Sequence, residues 1–412
     1  MSIKVHKLLE RIMWLITAFL LASFTIFDNT IYISLIIAGI TVILLLLDSI
    51  SNDFRILIKL SGFHLWGFGF AGYCLLSSLW AINPENSFSK GLTIIQIIIC
   101  MTVIYCHYYR NYQPHRLLSI AEYSGYMIAL YYIYFWGLGY IRNSLMAGAR
   151  IENAFANGNT IGMSCAISFI ISVYFLLYVS KKHIIKFPFM ALLLTIVAAT
   201  ASRKALVIVV LGVLFLFLFK YRSKDILKTF FRWLFISGSL IVLFLLILSF
   251  PIFDGLNHRM EGLIAAIMGN GIIDNSTYLR QQFIKIGLEQ FLETPFFGIG
   301  IDNARLLLLQ HFGYTTYLHN NYVELLASGG IVGASLFYSI YAYIIYKLKS
   351  NWKNYSSEKI AVLLLIFLML AMDFGAVSYY SKSTYFYIMM FFLFIKYNTR
   401  RRRNQDEDKK IS

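Results

Sequence analysis

Long apolar runs recur along this chain, separated by short links that hold most of the Lys and Arg residues. A helix of about 20 apolar residues crosses a hydrocarbon core of about 30 Å. Only 14% of the residues are charged, whereas a soluble domain averages roughly 25%. The sequence therefore predicts an all-α polytopic membrane protein with about 12 transmembrane helices. The predicted spans are 12–27, 31–47, 61–80, 91–108, 117–138, 160–180, 187–202, 205–219, 230–250, 321–346, 360–376 and 383–397.

The chain has a net charge of +16, with 36 Lys and Arg against 20 Asp and Glu. In a soluble protein that balance suggests nucleic acid as a partner, but here the cations lie between membrane spans, so no nucleic acid is expected. Basic links stay in the cytoplasm, which predicts two cytoplasmic termini. The expected domains are helices 1–9 in 1–250, an extracytoplasmic loop at 251–320, helices 10–12 in 321–399 and a basic cytoplasmic tail at 400–412.

Several common catalytic motifs do not occur in the sequence. There is no G-x-x-x-x-G-K-[ST] loop for a nucleotide, and no H-E-x-x-H helix for a metal. The four cysteines all lie in apolar stretches and form no Cys-x-x-Cys pair, so they predict neither a metal site nor a disulfide. These observations favour either an enzyme that uses no metal or cofactor, or a transporter.

The long loop contains one segment with helical periodicity, Thr277–Thr294. Its apolar residues recur at the spacing of an amphipathic helix, and Pro295 ends the pattern. We expect this helix to lie on or near the outer membrane face. Its apolar positions are 279, 283, 284, 286, 288, 291 and 292.

Cations stand out in two places on the side expected to be external. Arg203 and Lys204 lie between two apolar runs, either as a tight turn with snorkelling side chains or as groups that bind phosphate. Arg280 lies on the amphipathic helix, either on a solvated face or as a functional group. The same ambiguity applies to Lys285, Arg305, His258 and Arg259.

The stretch YLHNNYVELLASGGIVG begins where the long loop meets the next apolar run. Asn320 or Asn321 is suited to cap that helix, but a cap does not explain His319, which is either a hydrogen-bonded interfacial residue or a functional one. Small residues at Gly330 and Gly333 permit close helix packing.

Taken together, these stretches resemble the O-antigen ligase and O-antigen or capsule polysaccharide polymerase superfamily of bacterial envelope proteins. His319-Asn320, nine residues and then Gly330-x-x-Gly333 match its His-Asn…Gly-x-x-Gly signature. SRKAL at 202–206 looks like its Ser/Thr-Arg turn, and LRQQFIKIGLEQFLETPFFGIGIDN resembles its long periplasmic loop. SLWAINPENS and RIENAFANGNTIG are weaker matches.

The resemblance implies a glycosyltransferase whose donor is a glycan on undecaprenyl pyrophosphate. It implies a multi-pass protein of the bacterial cytoplasmic membrane whose active site faces the periplasm or cell exterior. No cofactor or metal is implied. Carried over by position, the catalytic residues are His319, Arg280 and Arg203, and the substrate-binding residues are Asn320, Lys204, Glu324 and Arg150.

These residue types suit that chemistry. Guanidinium groups can stabilise the charge that develops on a leaving pyrophosphate, and a neutral imidazole can accept the proton of an attacking hydroxyl. An in-line attack inverts the anomeric centre. Lys204, directly after Arg203, departs from the family pattern and has no assigned role.

Four functions remain open on the sequence alone, one of which is a purely structural assembly partner, for which His319 would be dispensable. A polymerase joins the donor glycan to another lipid-linked repeat unit, and a ligase transfers it to lipid A-core. The polymerase is favoured because GIGIDN and SRKAL look more like polymerase members. A polysaccharide-repeat flippase is the alternative outside enzymes, and it predicts charges near the bilayer midplane. Membrane lipids, a flippase and a chain-length regulator are the further partners expected.

Overall fold

The computed structural model describes residues 3–27, 33–51, 60–110, 114–151, 156–179, 185–250, 275–349 and 357–411. Within these ranges the chain forms fourteen α-helices and no β-strand. They are α1 (Ile3–Ile26), α2 (Ile33–Ser51), α3 (Gly62–Leu76), α4 (Pro84–Arg110), α5 (Pro114–Ala147), α6 (Gly158–Tyr174), α7 (Lys186–Ala199), α8 (Arg203–Lys220), α9 (Ile226–Leu248), α10 (Asn275–Glu293), α11 (Ala304–Phe312), α12 (Asn321–Lys349), α13 (Ser357–Asp373) and α14 (Lys382–Ile411).

The all-helical fold predicted from the sequence is confirmed for the described residues, and every predicted span overlaps a helix there. Among the residues that the structure describes, three helical segments are long and apolar enough to cross a membrane, namely Pro84–Tyr109, Gly158–Val179 and Asn321–Lys349. Lys186–Ala199 is a shorter apolar helix. Length and composition thus support a membrane protein, while the number of twelve crossings and the cytoplasmic termini remain predictions.

The helix α6 lies in the middle of the bundle and packs against α5, α7 and α8. Small residues allow these close approaches, as is usual for helices in lipid. A Cβ atom on Gly125 of α5 would lie 2.2 Å from the Cβ of Ser168 on α6, and the Ser168 hydroxyl donates to the carbonyl of Ala121 at 2.7 Å.

The predicted amphipathic helix is confirmed as α10, which ends two residues before Pro295. It packs against α12 and buries Phe283 and Gly287 in a small apolar cluster. A Cβ atom on Gly287 would lie 2.6 Å from the side chain of Leu318, so only glycine permits this contact. Residues 251–274 of the predicted loop, with His258 and Arg259, lie outside the described residues.

A buried ion pair joins α5 to the start of α7. The Lys186 Nζ lies 2.7 and 2.8 Å from the two carboxylate oxygens of Glu122, which is fully buried. The hydroxyl of Tyr126 donates a further hydrogen bond to Glu122 at 2.9 Å. The pair lies at the start of α7, which has 14 residues. Arg203 and Lys204 follow the other end of this helix.

Candidate active site

The motifs singled out in the sequence meet at one end of the bundle, where α3 and α7 end and α12 begins; we call this the site end. Here the turn 295–303 docks on the stretch 78–87. The side chain of Asn303 accepts from the backbone N–H of Asn83 at 2.7 Å and donates to the Ser87 hydroxyl at 3.0 Å. Hydrogen bonds therefore join two stretches that are about 200 residues apart in the sequence.

The same turn is interlocked with a break in α12 at Gly330, which has φ 61° and ψ −168°. Beyond the break, the N–H of Ile331 donates to the carbonyl of Pro295 at 2.8 Å. A Cβ atom on Gly330 would lie 2.3 Å from the backbone of Phe296, so this position needs glycine for its conformation and for its space. A Cβ on Gly333 would lie 2.7 Å from the ring of Tyr73 on α3, and the predicted close packing at both glycines is confirmed.

His319 begins the turn into α12 with a left-handed backbone, φ 58°, which is uncommon for a residue other than glycine. Its neighbours hold this conformation. The Asn320 side chain caps α12 by accepting from the N–H groups two and three residues later, at 3.0 and 3.1 Å. The buried Glu324 accepts from the N–H of Leu318 at 2.8 Å. Asn320 and Glu324 therefore fix the position of the loop that carries His319, because both side chains accept hydrogen bonds from its backbone N–H groups and those of the following helix turn.

The His319 ring lies among aromatic side chains. Its centroid is 4.2 Å from that of Tyr317 and 6.1 Å from that of Phe283 on α10, nearly parallel to it at 12°. Among the described residues, its buried Nδ1 atom has no hydrogen-bond partner. A buried ring nitrogen without a hydrogen-bond partner destabilises the folded protein unless another group forms a hydrogen bond with it.

Four basic side chains act at this place: the charges of Arg150, Lys204 and Arg280 act on the His319 ring, and the charge of Arg203 acts on Lys204. Burial and then the charges of Arg280, Lys204 and Arg150 lower the pKa of His319 to about 3, so the imidazole is neutral at pH 7. Burial and then the charges of Arg280, Arg150 and Arg203 lower the pKa of Lys204 to about 7. We call these four residues the cationic cluster. The structure thus brings together all five predicted cationic and imidazole groups.

The turn between α7 and α8 sets the position of Arg203. Ala201 has a left-handed backbone, φ 47°, and the Ser202 hydroxyl caps α8 by accepting from its third N–H at 3.4 Å. Ser202 also donates to the side chain of Asn159 at 2.9 Å. Arg203 Nη2 donates to the Thr277 hydroxyl at the start of α10, at 3.3 Å, which links the turn to the predicted loop helix.

Arg150 approaches the cluster from the segment before α6. Its Nη2 donates to the side chain of Asn157 at 3.4 Å, and Asn157 caps α6. A Cβ atom on Gly158 would lie 3.1 Å from the Arg150 Nε, so glycine leaves space for the guanidinium. Residues 152–155 of this predicted motif lie outside the described residues.

One polar group at the site end was not predicted: Asp302, Lys90 and Arg305, with Tyr379 and Tyr380. We call it the Asp302 group. Its charges come from α4, the turn 295–303 and α11, and of these the sequence singled out only Arg305, as an ambiguous cation. The only signal was the spacing of Asp302 and Arg305, three residues apart at a helix start, which suits an ion pair.

The remaining predicted charges have structural partners. Lys285 is exposed on α10 and lies 3.9 Å from Glu289, as a solvated face predicts. Asp373, the last residue of α13, accepts from Tyr338 at 2.8 Å and from Asn321 at 3.2 Å. Within the described ranges, no three His, Cys, Asp or Glu side chains are grouped to hold a metal ion.

Fold and site together define a helical membrane protein with a neutral imidazole beside concentrated positive charge. Residues 188–338 match the model of the O-antigen ligase family. The match runs from α7 into α12 and includes Arg203, Lys204, Arg280 and His319, but not Arg150. It is consistent with the O-antigen ligase and polymerase superfamily, and it supports a function on lipid-linked glycans. No curated protein matches the chain.

Proposed function

We propose that this protein is a polysaccharide polymerase of the bacterial cytoplasmic membrane. It joins undecaprenyl-pyrophosphate-linked repeat units at the outer leaflet by metal-independent, inverting glycosyl transfer. One observation carries the proposal: the charges of three cations from three separate segments of the chain act on the neutral imidazole of His319, and a fourth cation, Arg203, acts on one of the three, Lys204.

The cationic cluster is the proposed donor site. Like charges gathered in a partly buried site repel each other, so the arrangement favours an anion that neutralises several cations at once. A pyrophosphate ester does so, and the planar guanidinium groups of Arg203 and Arg280 suit its oxygens. As the bond from the anomeric carbon to the phosphate oxygen breaks, the electron pair stays on the pyrophosphate. The fixed cations stabilise that charge.

His319 is the proposed general base. The acceptor hydroxyl attacks the anomeric carbon, a new carbon–oxygen bond forms, and the hydroxyl proton passes to the imidazole. Burial and then the charges of the cationic cluster lower the pKa of His319 to about 3, which makes it a weak base. A bound pyrophosphate offsets those charges and raises this pKa, so the donor itself activates the base.

An elongation assay tests the proposal. Purified protein is given lipid-pyrophosphate repeat units without nucleotide sugar or divalent metal, and longer glycans are sought on gels. His319→Ala is expected to lower the rate by on the order of 10²- to 10⁴-fold, and Arg280→Ala by on the order of 10²- to 10³-fold. Lys285→Ala, on the exposed face of the same helix, is the matched control and should keep wild-type activity. Full turnover in His319→Ala and Arg280→Ala would refute the mechanism.

Ligation is the second candidate function, and the family match favours it because its description is O-antigen ligase. The same donor site and base serve both reactions, so only the acceptor differs. Adding lipid A-core as a competing acceptor separates them. A polymerase goes on extending the lipid-linked unit, whereas a ligase moves the labelled glycan onto lipid A-core.

A further inference from the structure

A patch of apolar side chains is exposed around the turn 295–303. We call it the turn patch, and its members, each between 40% and 80% exposed, are Leu79, Trp80, Ile82, Leu292, Phe296 and Phe297. We propose that the turn patch is inserted among the acyl chains of the membrane leaflet on the side of the site end. Insertion of this patch is a property beyond the proposed function, and it does not depend on the reaction.

The turn patch is one surface built from two distant stretches of the chain. The Trp80 Nε1 donates to the carbonyl of Phe297 at 3.3 Å, and the two rings meet edge to face with their centroids 5.7 Å apart. The N–H of Ile82 donates to the carbonyl of Ile299 at 3.1 Å. Because these bonds join backbone groups on both stretches, the exposed side chains are held on one side of the molecule.

The turn patch is continuous with an exposed side of α12. Just beyond the break at Gly330, Ile331 is 50% exposed and Val332 38% exposed. The N–H of Val332 donates to the carbonyl of Phe296 at 3.2 Å, so the two apolar surfaces meet at the backbone. Since α12 is long and apolar enough to cross a membrane, its exposed apolar side chains contact lipid. The adjoining turn patch, at the same level, contacts the same lipid.

The length of α12 places this surface at the edge of the hydrocarbon core. The first lysine of α12 is Lys347, in its last turn. At about 1.5 Å per residue, Lys347 lies about 24 Å along the axis from Ile331, and a hydrocarbon core is about 30 Å thick. With Lys347 at the far membrane surface, Ile331 and Phe296 lie just inside the near one. Tryptophan is enriched at that level, where Trp80 lies.

The exposed face of α10 changes from polar to apolar toward the turn. Lys285 and Glu289 are exposed and lie 3.9 Å apart, whereas Leu292, about two helical turns after Lys285 on the same face, is an exposed apolar residue. Its neighbour Glu293 is exposed as well and accepts from Gln290 at 3.3 Å, which keeps this end of α10 near the headgroups. We therefore expect α10 to meet the leaflet with its C-terminal end, while Lys285 stays in water.

Spin-label accessibility tests this placement on the full-length protein in nanodiscs of phosphatidylethanolamine and phosphatidylglycerol, with one copy of the chain in each disc. A nitroxide on Phe297→Cys is compared with one on Lys285→Cys, the matched control on α10. The native cysteines are buried, and unmutated protein measures their residual labelling. Oxygen concentrates in the hydrocarbon, whereas a water-soluble nickel chelate stays outside it. The label at Phe297 should collide severalfold more with oxygen than with the chelate, and the label at Lys285 should show the reverse.

Leu292→Cys is the second labelled variant and should behave as Phe297→Cys does, and the melting temperature of each variant reports on its folding. Equal nickel-chelate collision rates at Phe297, Leu292 and Lys285 would refute the inference, because the turn patch would then lie in water. Labels at Phe297 and Leu292 that are shielded from both oxygen and the chelate would refute it too, because protein would then cover the patch. Such a patch can serve either a membrane or a protein partner, and these outcomes separate the two.

Discussion

Two lysines at opposite ends of α7 show two ways in which a membrane protein accommodates a buried cation. Lys186 contacts both oxygens of the Glu122 carboxylate, at 2.7 and 2.8 Å, so its charge is balanced within the fold. Lys204 lies among three arginines, and burial together with their charges lowers its pKa to about 7. The first lysine has its counter-charge within the fold, and for the second we propose the donor pyrophosphate as the counter-charge.

The largest expected effect comes from removing the partner of Lys186. Glu122→Ala leaves a buried ammonium without its carboxylate, and the free energy of unfolding should fall by roughly 3–5 kcal/mol. Denaturant titration in detergent measures this loss. The double variant Glu122→Met/Lys186→Met should recover most of the stability, since two apolar side chains replace a pair. Lys204→Met is the contrasting variant and should unfold no more easily than wild type, because it removes a repelling charge.

A smaller effect is expected from pH at Lys204. The amine is charged below its pKa of about 7 and neutral above it. Donor affinity should therefore decrease as pH rises from about 6 to about 8, by up to about tenfold per pH unit above 7. A sugar–pyrophosphate–lipid donor has both phosphates esterified, so its own charge stays constant across this range. Lys204→Arg keeps its charge and should bind the donor with nearly constant affinity. If the donor affinity of Lys204→Arg decreases equally steeply with pH, Lys204 is not part of the donor site.

The smallest effect is expected at Gly375, in the turn after α13. A Cβ atom there would lie 2.6 Å from Cε and 2.9 Å from Nζ of Lys204. Because the far end of a lysine is flexible, Gly375→Ala should displace the ammonium with little loss of stability and weaken donor binding only a few-fold. Kd and melting temperature are measured together. If donor affinity is unchanged while the melting temperature falls, Gly375 serves packing and does not position Lys204.

Sequence reasoning found what depends on local pattern. Apolar runs predicted the positions of the helices, helical spacing predicted α10, and Asn320 and Asn321 predicted the cap of α12. It did not find the Asp302 group, because no local pattern reports that Lys90 and Arg305 meet across more than 200 residues. Glu122 was also missed, although a charge inside the predicted span 117–138 is itself a signal. Its partner Lys186 lay in a basic link and looked like a simple membrane anchor.

The cationic cluster has a consequence for how fast the protein turns over. In the proposed reaction, transfer leaves a free lipid pyrophosphate in the cluster, and its new terminal oxygen carries more charge than the donor did. Electrostatics that favour the transition state therefore also retain the spent carrier lipid. We expect departure of that carrier, rather than glycosidic bond formation, to be the slow step. A separate enzyme that recycles or dephosphorylates the carrier lipid would then determine the rate of glycan chain growth.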